Sequence, residues 1–155
     1  MGKALFYHLT RDPLEVTAHN LLSRALAQEM RVMVRGRDME RLTGLDAALW
    51  QGDKASFLPH GLAGGRHDAD QPILLSTARE APNRAHIIMA IDRAEATPEE
   101  VPGLERLWVL FNGHDAEELG QARAQWKAMT AAGVEAEYWS QESGRWECKA
   151  RSGTA

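Results

Sequence analysis

A strand, a helix and a second strand are predicted within residues 4–35, ALFYHLTRDPLEVTAHNLLSRALAQEMRVMVR. Residues 4–9 and 31–35 are short, mostly apolar runs of the length that buried strands have. Between these runs, apolar residues recur at the three- and four-residue spacing of an amphipathic helix. The helical series consists of Leu14, Ala18, Leu21, Leu22 and Ala25. This β-α-β order favours two parallel strands joined by a crossover helix.

Both helices in the first third of the chain have a sequence signal for their start. Asp12 is expected to cap the first helix, with Pro13 at the first helical position and Glu15 closing a capping box. Gly36 ends the second strand, and Asp38 is expected to cap the helix that follows. The apolar stripe of that second helix consists of Leu42, Leu45 and Leu49.

The rest of the chain continues with strands and one long helix. Residues 51–71 are rich in Gly, Asp and His and are expected to form a loop. A capped helix is predicted for 115–132, ending at Gly133. Further strands are expected at 72–76, 86–91, 106–111, 134–139 and 145–149. The sequence therefore predicts a single α/β domain over residues 1–150. We expect a mainly parallel central sheet with helices on both faces, and a frayed tail at 151–155.

Composition excludes several classes of protein. The chain has 155 residues with a net charge of −4, whereas general DNA-binding domains usually carry a basic excess. We therefore expect no strong direct binding to DNA. No window approaches the length of a membrane span, and the apolar run at the N-terminus is too short for a signal peptide. The one cysteine, Cys148, cannot form an internal disulfide. These features favour a cytoplasmic protein.

The segment between the second helix and the third strand contains two candidate small-ligand sites. Residues 61–65, from Gly61 to Gly65, resemble a phosphate-binding loop, but neither a preceding strand nor a following Gly-Lys-Ser/Thr is present. A metal site is the second possibility, but the ligand spacing matches no strong zinc or calcium pattern. Its candidate ligands are His60, His67, Asp68 and Asp70. No nucleophile and base are paired either, so we expect no catalytic residues, no metal and no cofactor.

The long helix combines an apolar stripe with two cations. The stripe consists of Ala116, Leu119, Ala122, Trp126 and Met129. Arg123 lies one position away from the stripe, and Lys127 follows it by four residues, so both cations share one exposed face. One interpretation is an ordinary amphipathic helix with Trp126 in the core. The other is a cationic and aromatic pocket for the acidic, apolar end of a peptide.

Bulky apolar residues also surround the loop after the second helix. Trp50, Phe57, Leu58 and Pro59 lie within ten positions of one another. They could fill the end of the core, or they could form an exposed apolar patch that binds a partner protein. Composition leaves both possibilities open.

Several ordered motifs resemble the chi subunit family of bacterial DNA polymerase III. Phe6-Tyr7 lies in the first strand, and Ala122-Arg123-Ala124-Gln125-Trp126-Lys127 lies in the long helix. The other motifs are Leu45-Asp46-Ala47-Ala48-Leu49-Trp50, Ser56-Phe57-Leu58-Pro59-His60-Gly61-Leu62-Ala63, Tyr138-Trp139-Ser140-Gln141 and Gly144-Arg145-Trp146-Glu147-Cys148-Lys149-Ala150. Each motif is weak alone, but the set occurs in the family's order across nearly the whole chain. The resemblance implies a fold like that of a nucleotide-binding domain without a working nucleotide site.

The resemblance also implies a function and two protein contacts. It implies a non-catalytic subunit that links the clamp-loader complex to single-stranded-DNA-binding protein during DNA replication. The acidic C-terminal tail of that protein would bind Arg123, Trp126 and Lys127, and the psi subunit would bind Trp50 and Phe57. Some relatives have Tyr at the position of Trp126 and Lys at that of Leu119. The alternative to this adaptor function is a small nucleotide-binding enzyme that uses the loop from Gly61 to Gly65.

Overall fold

The computed structural model describes residues 2–51 and 58–152, which form one α/β domain. The helices of this part of the chain are α1 Leu14–Ala27, α2 Met39–Trp50 and α3 Ala116–Ala131. Its strands are β1 Ala4–Leu9, β2 Val32–Arg35, β3 Gly61–Leu62, β4 Ile73–Ser76, β5 Ile87–Ala90, β6 Arg106–Asn112, β7 Ala136–Ser140 and β8 Glu147–Ser152. Short 3-10 helices occur at Asp68–Asp70 and Pro98–Gly103. No helix within the described residues is long and apolar enough to cross a membrane.

The described strands form one sheet in the order β3-β4-β2-β5-β6-β1-β7-β8. Every neighbouring pair is parallel except β7 and β8, which are antiparallel. Strand β1 lies between β6 and β7, so that Phe6 pairs with Val109 on one side and Tyr138 on the other. The prediction of a mainly parallel sheet is therefore confirmed.

The alternation of side chains along β1 shows why helices cover both faces of the sheet. Leu5 and Leu9 belong to the apolar cluster that includes buried residues of α1 and α2. Ala4 and Phe6 belong to the opposite cluster, which includes residues of α3. Because successive side chains of a strand point to opposite faces, α1 and α2 cover one face and α3 covers the other.

The predicted start of the first helix is wrong. Pro13, with an extended backbone, occupies the N-cap position, and no side chain caps the helix. Asp12 instead bonds to the side chain of Gln141: its carboxylate accepts from Gln141 Nε2 at 2.8 Å, and its backbone N–H donates to Gln141 Oε1 at 3.3 Å. A partner 129 positions away in the chain therefore replaces the local cap. Asp38, by contrast, caps α2 as predicted, because its side chain accepts from the Glu40 N–H.

Two segments that the sequence predicts to be irregular contain strands. The loop prediction for 51–71 is wrong at Gly61–Leu62, which pairs with β4 at the edge of the sheet. Strand β8 continues to Ser152, two residues past the expected boundary of the domain at 150, because Arg151 and Ser152 pair with β7. Short edge strands have weak sequence signals because only one neighbour fixes them.

Candidate functional site

Helix α3 presents both predicted cations on its solvent side. Asp115 caps the helix as predicted, since its carboxylate accepts from the N–H groups of Glu117 and Glu118 at 2.9 and 3.2 Å. Ala122 and Met129 are buried, whereas Arg123 and Lys127 are exposed. The predicted apolar stripe is wrong at its first member, because Ala116 is exposed in the first turn of the helix.

Trp126 is half-buried between these exposed cations and the sheet. Its ring contacts Phe6 edge to face, with centroids 5.4 Å apart and an interplanar angle of 80°. It makes a second edge-to-face contact with Tyr138, at 5.9 Å and 89°. Such contacts are the favoured geometry for aromatic pairs. They hold the indole in one orientation, with part of its surface open beside Arg123 and Lys127.

Tyr138 and His8 extend this surface onto the sheet, and sequence reasoning did not predict them as site residues. The Tyr138 hydroxyl lies 2.7 Å from Nδ1 of His8, and the His8 ring stacks on Phe111 with centroids 5.0 Å apart. His8 also packs over Gly113, where a Cβ atom would lie 1.9 Å from His8 Nε2. A larger residue at Gly113 would therefore displace the imidazole. We call Arg123, Trp126, Lys127, Tyr138 and His8 the α3 surface.

Arg123 acts electrostatically on both of these polar groups. Burial raises the pKa of the Tyr138 phenol, and the positive charge of Arg123 opposes that rise. Burial lowers the pKa of His8, with His114 and Arg123 lowering it further and Glu142 opposing them. The imidazole is therefore mainly neutral at neutral pH, and the Tyr138 hydroxyl can donate a hydrogen bond to it. The positive charge of the α3 surface then comes from Arg123 and Lys127.

The second predicted contact region is only partly described. Trp50 ends α2 with 49% of its surface exposed, and its ring packs against His60 with centroids 4.3 Å apart. Phe57 lies outside the described residues. Leu58 is buried in the same apolar cluster as Leu49 of α2. The region thus combines an exposed indole at Trp50 with a buried side chain at Leu58.

Internal hydrogen bonds account for His60 and Asp68, two of the four candidate metal ligands in the loop at 60–70, whereas the side chains of His67 and Asp70 are exposed. The His60 side chain is buried, with Nδ1 2.5 Å from the Leu58 carbonyl and Nε2 3.2 Å from Asp46 Oδ1. Asp68 accepts hydrogen bonds from the N–H groups of Gly64 and Gly65 at 2.9 and 3.0 Å. These amides, the ones that would cradle a phosphate, are therefore occupied by a carboxylate. Within the described ranges, no three His, Cys, Asp or Glu side chains are placed to hold a metal ion.

A large crevice lies where a parallel α/β sheet usually binds its ligand. It has a volume of about 980 Å³ and lies at the carboxyl ends of β1, β5 and β6, next to the first turns of the helices. Charged groups in its lining are Asp12, Glu15, Asp38, Glu40, Asp92, Glu118, Arg11 and Arg41. Burial raises the pKa of Glu118, and the nearby charges of Asp115 and Asp92 add to this rise. Carboxylates outnumber guanidiniums six to two in this lining, which disfavours binding of the phosphates of a nucleotide.

Sequence comparison identifies one family. The model of the family described as DNA polymerase III chi subunit, HolC, matches residues 1–137. No curated protein matches the chain. The matched segment includes β1 and all three described helices, and therefore Arg123, Trp126 and Lys127. Tyr138 lies one position beyond it.

Proposed function

The chain belongs to the DNA polymerase III chi subunit family, and we propose that it is a non-catalytic adaptor that binds the acidic C-terminal tail of single-stranded-DNA-binding protein. Its second contact would be with the clamp-loader complex, through the psi subunit where one exists. This function in DNA replication would be carried out in the cytoplasm.

The observation that carries the tail contact is the arrangement of the α3 surface. A half-buried indole fixed by two aromatic rings lies beside two exposed cations of the same helix. A peptide ending in an apolar residue has two features that match it: an apolar side chain for Trp126 and Tyr138, and a carboxylate for Arg123. Acidic residues farther along the tail would meet Lys127.

A peptide titration tests this proposal directly. We expect a synthetic acidic peptide with an apolar last residue and a free carboxyl end to bind with one-to-one stoichiometry. The same peptide with an amidated end should bind about tenfold or more weakly, because it lacks the charged partner of Arg123. Isothermal titration calorimetry measures both affinities. Equal affinity of the two peptides would show that the terminal carboxylate is not recognised.

The nucleotide-binding alternative receives no support from the described geometry. Asp68 occupies the amides of Gly64 and Gly65, and carboxylates outnumber guanidiniums in the lining of the crevice. A phosphate group at either place would meet carboxylates at short range. The adaptor function requires neither site.

We expect Trp50→Ala to separate stability from partner binding. Because the indole is 49% exposed, its removal should lower the free energy of unfolding by only about 1 kcal/mol. Binding to the purified clamp-loader complex should fall by tenfold or more, because an aromatic residue at the centre of an interface often contributes a large share of the binding energy. Denaturant melts measure the free energy of unfolding, and pull-down with the purified complex measures the binding. If the folded variant binds the clamp-loader complex as well as the parent chain does, Trp50 is not part of the interface.

A further inference from the structure

A small cationic pocket lies on the face of the sheet opposite the α3 surface. It has a volume of about 230 Å³ and lies between the C-terminal half of α1 and strands β1, β5 and β6. Its walls include Tyr7 and Trp108 of the sheet. Both side chains pack in the apolar cluster that lies between the sheet and helices α1 and α2. The pocket shares no lining residue with the acidic crevice at the carboxyl ends of the strands.

The two charged groups of this pocket are both cations. Arg24 and Arg106 contribute two guanidiniums, and the side chains of Tyr7 and Gln28 also line it. No Asp or Glu belongs to the lining, and across residues 2–51 and 58–152 neither guanidinium has an ion pair or hydrogen bond. Arg24 lies in the last turn of α1, where a cation interacts favourably with the helix dipole. Arg106 is the first residue of strand β6, so no helix dipole stabilises its guanidinium.

The Tyr7 hydroxyl adds a neutral donor beside the two cations. Burial raises the pKa of Tyr7 to about 12, while the charges of Arg24 and Arg106 lower it and that of Glu137 raises it. The phenol therefore stays protonated at neutral pH and can donate. Its ring is held edge to face against Trp146, with centroids 5.3 Å apart. None of the groups that the structure describes accepts a hydrogen bond from this hydroxyl.

We propose that this pocket binds a phosphate dianion, either inorganic phosphate or the phosphate group of a small monoester. Two guanidiniums without a carboxylate balance a charge of about −2, and guanidinium geometry suits phosphate oxygens. A carboxylate has one charge and two oxygens, so it leaves one guanidinium unneutralised. The pocket's volume exceeds that of a single phosphate group, which leaves room for the body of a small ester. This site does not depend on the tail contact, because it lies on the other face of the sheet.

Nuclear magnetic resonance titration of the full chain tests the site. Inorganic phosphate is added at slightly alkaline pH, with the ionic strength held constant by chloride. We expect saturable shifts of the Gln28 side-chain amide and the Trp108 indole N–H. Acetate at the same ionic strength should bind more weakly. Glycerol phosphate distinguishes the two sources, since tighter binding than inorganic phosphate indicates an ester ligand and equal binding indicates the free ion.

The variants are matched in charge. Arg24→Gln and Arg106→Gln should each weaken phosphate binding by about tenfold or more. Arg66→Gln, which removes the same charge from an exposed loop at the far edge of the sheet, should leave it unchanged. Tyr7→Phe removes the neutral donor with little loss of volume, so it tests the pocket even if an arginine variant does not fold. Shifts that never saturate, acetate binding equal to phosphate, or an equal loss in Arg66→Gln would overturn the proposal.

Discussion

Arg123→Ala should weaken binding of the acidic tail peptide by about tenfold to a hundredfold and leave the fold intact. A charge-assisted hydrogen bond contributes about 1.5–3 kcal/mol, which corresponds to that range of affinity. The guanidinium is exposed and has no ion pair or hydrogen bond among the described residues, so its removal leaves no buried group without a partner. Isothermal titration calorimetry with the free-acid peptide measures the change.

Two further variants separate a specific contact from general attraction. Lys127→Ala should cost less than Arg123→Ala, because an ammonium is a point charge without the two-pronged geometry of a guanidinium. Arg66→Ala removes an equal charge from an exposed loop near β3, at the far edge of the sheet, and should leave the affinity unchanged. Binding should also weaken as salt concentration rises, since exposed charges are screened. If Arg123→Ala binds the peptide as tightly as the parent chain, the tail contact is elsewhere.

Local sequence signals predicted most of this fold because they depend on near neighbours. Strand β1 has the predicted bounds, and Asp38 and Asp115 cap their helices as expected. Both caps bond to N–H groups two or three residues away. Asp12 is also an aspartate just before a helix, but its hydrogen-bond partner Gln141 comes from the turn after β7. No local rule predicts that Gln141 replaces the N–H groups of α1 as the partner of Asp12, because only the folded sheet brings the two side chains together.

The α3 surface shows the same division between local and distant information. Helical spacing placed Arg123 and Lys127 on one exposed face, but it could not decide whether Trp126 is buried in the core. That answer depends on Phe6 and Tyr138, which meet only because β1 and β7 pair in parallel. Period-two alternation does place Phe6 and His8 on the same face of β1. The identity of the neighbouring strand, which the sequence does not specify, brings Tyr138 to them.

Arg35→Met should lower the free energy of unfolding by about 3–5 kcal/mol, the usual cost of removing one partner of a buried ion pair. Arg35 is 3% exposed at the end of β2 and forms a two-pronged pair with Glu100, with distances of 2.7 and 3.2 Å. It also donates to the backbone carbonyls of Arg79 and Glu95. One side chain therefore ties the segments on either side of β5 to the centre of the sheet. Its loss leaves the carboxylate and both carbonyls without this donor.

A matched pair elsewhere provides the control. Arg93 and Glu117 form an ion pair at 2.6 Å, but their side chains are 34% and 74% exposed. Arg93→Met should therefore cost no more than about 1 kcal/mol. Chemical denaturation of both variants measures the difference between the buried and the exposed pair. Similar losses would show that the Arg35 network contributes no more than a surface pair.

The cost of Arg35→Met should depend on pH with a definite sign. Burial alone would raise the pKa of Glu100, but hydrogen bonds from Arg35 and Thr97 hold it below its usual range. A carboxylate with a lowered pKa contributes stability above its unfolded pKa, and that contribution disappears as the pH falls through the folded pKa. The difference in unfolding free energy between the parent chain and Arg35→Met should thus be largest near neutral pH and shrink in acid. In a Glu100→Gln background, the effect of Arg35→Met should be smaller at neutral pH and lose most of this pH dependence, because the titrating partner is gone. A loss that stays constant from neutral to acidic pH would mean that the carbonyl contacts of Arg35, rather than its pair with Glu100, account for the stabilisation.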